Sequence, residues 1–294
     1  MDRRYRAGRL GGDERRAALA APAPADGFTS RRYRVDGLDL HVRQRPGPRS
    51  AAPACVLVHG LAVSHRYLMP TARWLRRTVY VPDLPGFGLS DHPDRVFDVG
   101  EHAGLLARWL DALGADPVCL LGNSFGCQVA VDLARQRPDL VAALVLVGPT
   151  VDPAAATVAG QLRRWVRDVC QEDVRQATIL ARDVRDAGLR RIAATLRLSL
   201  RDRIEAKLPL VGAPALLVRG EHDRVCPPRW LGEAAALMAD ARCHTLPGPA
   251  HNAVTTAGPE LAAAVETFLA ALRVVHRTRR DRGGRDWGGR AGTG

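Results

Sequence analysis

Lysine is nearly missing from this chain of 294 residues. Lys207 is the only one, while arginine, alanine and glycine abound. Codon bias of a GC-rich genome explains that pattern more economically than selection for phosphate contacts. Cysteine is sparse: Cys55, Cys119, Cys127, Cys170, Cys226 and Cys243 form no C-x-x-C pair and have no histidine at metal-ligand spacing. This argues against a structural zinc site and a disulfide framework. Four of the six lie in or beside apolar runs, where free cysteine behaves as a small buried hydrophobe. No apolar run approaches the length of a membrane-spanning helix, so no membrane partner is expected. No internal repeat is apparent, which sets aside solenoids and propellers.

What the chain has in excess is positive charge, +12 in all. It is unevenly placed. Residues 1–34 hold nine arginines against four acids, and residues 276–294 hold six against two, leaving only +3 between them. Basicity concentrated in two tails speaks of tail contacts and solubility more than of a groove built for nucleic acid. Arg15-Arg16 before an alanine-rich run faintly imitates a twin-arginine export signal, but Pro22 and Pro24 break that run. The expectation is a cytoplasmic protein with unstructured tails at 1–28 and 276–294.

Between the tails, apolar runs alternate with helical patterns. Residues 31–36 and 38–43 alternate polar and apolar around Gly37, as in an edge hairpin. Short runs at 55–58, 79–81, 117–121, 141–147, 215–218 and 241–246 read as further strands, most of them covered on both faces. Helical spacing occupies 67–77, 98–113, 124–136, 228–239 and 257–274. From 151 to 208 the strand signals stop, and apolar residues recur at three- and four-residue steps. Three or four inserted helices are expected there. The fold class is therefore α/β: a mostly parallel, doubly wound sheet of about eight strands, with a core at 29–150 and 209–275 and a helical cap at 151–208.

In such sheets, sites form beyond the carboxyl ends of the strands. Residues 117–121 run into Gly122-Asn-Ser124-Phe-Gly126, and a helical pattern follows at once. That is what a nucleophile elbow requires: a serine on a tight strand-to-helix turn, flanked by glycines where a side chain would collide. The turn leaves the N–H of Phe125 at a helix N-terminus, where developing negative charge is favoured. A serine hydroxyl needs a base, and the base an orienting acid. Asp223 follows the strand at 215–218, and His251 follows the strand at 241–246.

Taken together, His59-Gly60, Asp83-Leu-Pro-Gly-Phe-Gly-Leu-Ser90, Gly122-Asn-Ser-Phe-Gly126, Gly220-Glu-His-Asp223 and the late His251 resemble the α/β-hydrolase family over about residues 31–275. The resemblance implies a serine hydrolase of that family's lidded type, working through an acyl-enzyme. Ser124 would be nucleophile, His251 base then acid, and Asp223 the orienting group. The backbone N–H groups of Phe125 and Leu61 would hold the oxyanion. It implies no metal and no cofactor, and a small, mostly apolar acyl substrate. The apolar side chains of the inserted helices would roof the pocket.

Rival readings stand beside each assignment. Ser124 could be a plain turn residue. Asp152 or Glu221 could replace Asp223, and His222 or His244 could replace His251, although His244 lies inside a strand. His59 is expected to be structural and Asp83 to shape a loop, while His65 and His92 sit on loops near the site. The arginines of the insertion read as a solvated helix face balanced by Asp168, Glu172, Asp173, Asp183 and Asp186. At the level of function, C–C bond hydrolysis of ring-cleavage products shares Gly-Asn-Ser at the elbow. Cys127 and Asn252 depart from that group's second glycine and its tryptophan after the histidine. A cofactor-free haloperoxidase-like activity is a further rival among enzymes. A non-catalytic ligand receptor on the same fold is the rival from outside them. Oligomeric state is not legible.

Overall fold

The computed structural model describes the backbone of residues 27–169 and 176–283. Most of both expected tails, together with Cys170, Glu172 and Asp173, lies outside the described residues. Eight strands form one sheet: β1 (Thr29–Val35), β2 (Leu38–Arg45), β3 (Cys55–Val58), β4 (Val79–Pro82), β5 (Val118–Asn123), β6 (Val141–Val147), β7 (Ala215–Gly220) and β8 (Ala241–Leu246). Their order across the sheet is β1-β2-β4-β3-β5-β6-β7-β8. The β1–β2 hairpin joins antiparallel at one edge, and every pairing from β4 onward is parallel.

The continuous apolar runs follow from this arrangement, because alternate side chains feed two cores. Val56, Val58, Leu120, Leu144, Leu146 and Leu217 enter the core on one face. There the sheet is covered by α2 (Val99–Leu113) and α3 (Phe125–Gln136). Leu57, Leu121, Val145 and Val218 enter the other, under α1 (His65–Ala72) and α10 (Gly258–Gly283). Helix α2 starts in a reciprocal cap between Asp98 and Glu101 and stops at Gly114 (φ 60°).

Four helices stand between β6 and β7: α4 (Val158–Val169), α5 (Ala177–Ala187), α6 (Leu189–Arg201) and α7 (Ile204–Lys207). The short helices α8 (Pro228–Ala236) and α9 (Ala253–Thr256) flank β8 in sequence. Two expectations need correction. Helix α1 ends at Ala72 instead of 77, with Pro70 already inside it. Helix α10 continues to Gly283, well into the segment read as a disordered tail. Its arginine-rich extension contains no proline, arginine is a good helix former, and the first Gly-Gly pair comes only at 283–284. Among the described residues, no helix is long and apolar enough to cross a membrane.

Candidate active site

Ser124 sits between β5 and α3 with φ 52° and ψ −116°, a conformation rarely populated by a residue with a side chain. Its neighbours enforce it. A Cβ on Gly122 would stand 2.5 Å from the carbonyl oxygen of Gly126, and one on Gly126 would stand 2.2 Å from that of Val58. Only glycine lets the helix start this close to the strand that delivers it. The Ser124 N–H donates to Val147 in β6 (2.9 Å), and Cys127 N–H donates to the Ser124 carbonyl (2.9 Å). The hydroxyl is left standing over the carboxyl end of the sheet.

Two loops from later strands converge on it. Nε2 of His251 lies 3.0 Å from Ser124 Oγ, and its Nδ1 lies 2.9 Å from Asp223 Oδ2. The other carboxylate oxygen, Oδ1, accepts from the N–H groups of Val225 and Cys226 at 2.8 Å each. With both oxygens engaged, the carboxylate has one orientation and the imidazole one tautomer: Nδ1–H toward Asp223, with Nε2 placed to accept from the serine. Asp223 and His251 are both buried, whereas Ser124 is partly open to solvent.

The loop after β3 lies against the serine, since a Cβ on Gly60 would meet Ser124 Cβ at 3.4 Å. Among the described residues, the N–H groups of Leu61 and Phe125 donate no hydrogen bond. His59 holds this loop from below. Its Nε2 accepts from Leu84 N–H (2.9 Å), so the proton sits on Nδ1 and is donated to the Gly60 carbonyl (2.8 Å). Burial lowers its pKa and keeps the ring neutral.

The remaining candidates lie elsewhere. Asp152 is occupied by Arg164 (2.6 Å) and Arg229 (2.7 Å), and its pKa stays below the usual carboxylate value because those bonds outweigh burial. Glu221 accepts from Gly248 N–H (3.0 Å). His222 is exposed and His244 lies on β8. His65 opens α1 instead of lying on a loop. Its Nδ1 meets Asp83, as does Nδ1 of His41, each at 2.8 Å from Oδ2. These three side chains bring ligand atoms within 4.8 Å of one another, the spacing a metal ion could use. The Asp83 carboxylate is already filled by both rings and by the N–H groups of His65 (2.7 Å) and Leu89 (2.9 Å). Those bonds overcome burial and hold it well below the usual carboxylate range. The cluster ties β2, α1 and the loop after β4 together.

Three residues of the site escape a reading by motif. Gly148, at φ 58° just after β6, floors the His–Asp pair: a Cβ there would lie 2.8 Å from His251 Cε1 and 3.2 Å from Asp223 Oδ2. Its only sequence signal is its place at a strand's carboxyl end. Arg219, buried at the end of β7, donates to the carbonyls of Glu221, Asp223 and Cys226 and so staples the acid's loop. Asp168, on the inserted helix α4, is 4% exposed and accepts from Arg224 N–H (3.0 Å) and His251 N–H (3.3 Å). One carboxylate from the insertion thus grips both the loop of Asp223 and the loop of His251.

Arg163, Arg167, Arg182 and Arg185 are exposed, as expected of a solvated face, but Asp168 and Asp183, expected to balance them there, are buried, and Asp183 accepts from Ser64 Oγ (2.9 Å) and Arg66 (2.5 Å). These partners lie on distant elements, so they leave no trace in local charge spacing. The insertion is pinned to the core by polar contacts. Several of its large apolar residues (Leu162, Val166, Leu180 and Leu189) are 42–74% exposed, whereas the insertion's apolar side chains are expected from the sequence to roof the pocket.

A family model described as alpha/beta hydrolase fold matches residues 53–177, and one described as TAP-like protein matches residues 198–279. The chain is similar to a 2-(acetamidomethylene)succinate hydrolase of Mesorhizobium japonicum, 26% identical over 83% of this chain and 95% of the relative. It is also similar to lipase LipV of Mycobacterium tuberculosis, 42% identical over 44% of this chain and 47% of the lipase. Among solved structures, a membrane phospholipase A superposes with a TM-score of 0.68 at 26% identity, covering 89% of each chain.

Proposed function

Because this chain belongs to the α/β-hydrolase fold family, we propose that it is a serine hydrolase cleaving an ester-like or other acyl bond of a small, mostly apolar molecule. The observation that carries this reading is the hydrogen-bond chain from Ser124 Oγ through His251 to Asp223, at 3.0 and 2.9 Å. His251 takes the serine proton as Oγ attacks the acyl carbon, then returns it to the leaving group. Asp223 keeps Nδ1–H oriented and stabilises the imidazolium without taking the proton itself. The oxyanion is received by the undonated N–H groups of Leu61 and Phe125, the latter at the start of α3, where the helix dipole assists. Water then cleaves the acyl-enzyme by the same route. The acyl class is supported by the likeness to a lipase and to a membrane phospholipase A.

A panel of p-nitrophenyl esters with acyl chains of increasing length tests the reading, run beside Ser124→Ala and a fluorophosphonate probe. The wild type labels and turns over at least one ester. The variant neither labels nor turns over, with a loss on the order of 10⁴–10⁶ in kcat. Full turnover by purified Ser124→Ala would end the proposal. Tight ligand binding by a wild type that never labels would favour a receptor on this fold.

A further inference from the structure

A concavity whose lining includes none of Ser124, Asp223 and His251 lies elsewhere on the molecule. Between the β1–β2 hairpin, helix α1 and the inserted helix α5 runs an open groove of about 420 Å³, within the size range of small-ligand sites. Arg43, Arg66, Arg73 and Arg182 all line it, together with Ser30 and His65. The nearby acids are already engaged. Asp183 and Asp186 both pair with Arg66 (2.5 and 3.1 Å), and Asp83 is filled from within. Among the described residues, the Arg43 guanidinium donates to the Ser30 hydroxyl alone (3.2 Å). Among the described residues, Arg43, Arg73 and Arg182 have no carboxylate partner. Three uncompensated guanidinium groups around one concavity repel one another, and an anion relieves that repulsion.

The groove is built and not just charged. His65 is 7% exposed, and Asp83 fixes its Nδ1, so Nε2 is the ring nitrogen left to face a ligand. Asp183 accepts from Ser64 Oγ and Arg66, which holds α5 against the start of α1 and therefore holds Arg182 at the rim. We propose that this groove is a binding site, separate from Ser124, for a phosphate or phosphate monoester. A carboxylate has two oxygens and satisfies at most two guanidinium forks. A phosphate dianion has enough oxygens to meet all three. Its remaining P–OH, when present, donates to His65 Nε2. Met69 and Leu89 complete the lining and supply an apolar wall for a substituent. The ligand bridges core and insertion, because Arg43 and Arg73 belong to the first and Arg182 to the second.

Isothermal titration of the full chain at low salt tests this, with inorganic phosphate, butyl phosphate and acetate as probes. Phosphate binds and acetate does not. Butyl phosphate binding tighter than phosphate identifies an organic monoester as the natural class, and equal affinities identify free phosphate. Arg73→Gln and Arg182→Gln each weaken phosphate about tenfold, as loss of a charged hydrogen-bonding partner does. Both side chains are on exposed residues, so melting temperatures report an intact fold. Arg197→Gln, on α6 and outside the groove, leaves binding unchanged. Equal weakening by Arg197→Gln, equal binding of acetate, or no phosphate heat with the wild type would each overturn the proposal.

Discussion

His102 should make this protein sensitive to mild acid, by an amount the structure sets. The residue lies on α2, 1% exposed, with its ring tilted on Phe97 (5.6 Å) and edge-on to Phe125 (5.9 Å). Neither ring nitrogen finds a hydrogen-bond partner among the described residues. Burial therefore drives its pKa down to about 3, with the positive charge of Arg191 adding to the effect. In the unfolded chain the same ring titrates at about 6.5. Below that pH the unfolded state takes up a proton that the folded state refuses, so stability falls as pH falls, down to about pH 3. With these two values the penalty is about 0.2 kcal/mol at pH 7 and about 2 kcal/mol at pH 5. Urea unfolding followed by circular dichroism at both pH values, for wild type and His102→Leu, isolates the contribution, because every other titrating group is shared. The wild type loses about 2 kcal/mol more than the variant between pH 7 and pH 5. At pH 7 the variant is at least as stable, since an unsatisfied polar ring has been replaced by an apolar side chain. Parallel pH dependences for the two proteins would refute a buried, neutral, unpartnered His102.

Gly148→Ala places a methyl group 2.8 Å from His251 Cε1 at a backbone φ of 58°. The imidazole must move, and a shift near 1 Å in a reacting group costs about a hundredfold in kcat/KM. Ester hydrolysis with a melting curve as control checks it, and an alanine variant of wild-type activity would show that the His–Asp pair does not rest on this floor. Asp168→Asn keeps the shape but leaves one of two N–H donors, Arg224 or His251, facing an amide instead of a carboxylate. A fall of about tenfold in kcat with KM nearly unchanged is expected. A rise in KM alone would make Asp168 a residue of the insertion's packing and not of the base's placement.

What could be read from the sequence, and what could not, divides along a physical line. Strands β3, β5 and β6 are legible because a strand covered on both faces reads as a short continuous apolar run, as Cys55–Val58 and Val141–Val147 do. The turn at Ser124 is legible because two backbones approach within the radius of a methyl group, which only Gly122 and Gly126 permit. Both signals are written in the residues that experience the constraint. Asp168 and Arg219 are different: they bind main-chain groups, which every residue carries and no pattern marks. Asp183 meets Ser64 across 119 positions, so neither partner's neighbours announce the pair. The same reasoning explains why the arginines of the insertion looked like a balanced, solvated face. Counting charges along a helix pairs each arginine with the nearest acid in sequence. The fold commits Asp183 to Ser64 and Arg66 and Asp168 to the two loops of the site, and leaves Arg182 beside Arg43 and Arg73 with no carboxylate partner among the described residues. The insertion (151–208) holds twelve basic residues against eight acidic ones, and the fold gathers part of that surplus with arginines of the core in one cationic groove, a juxtaposition that spacing along the chain does not announce.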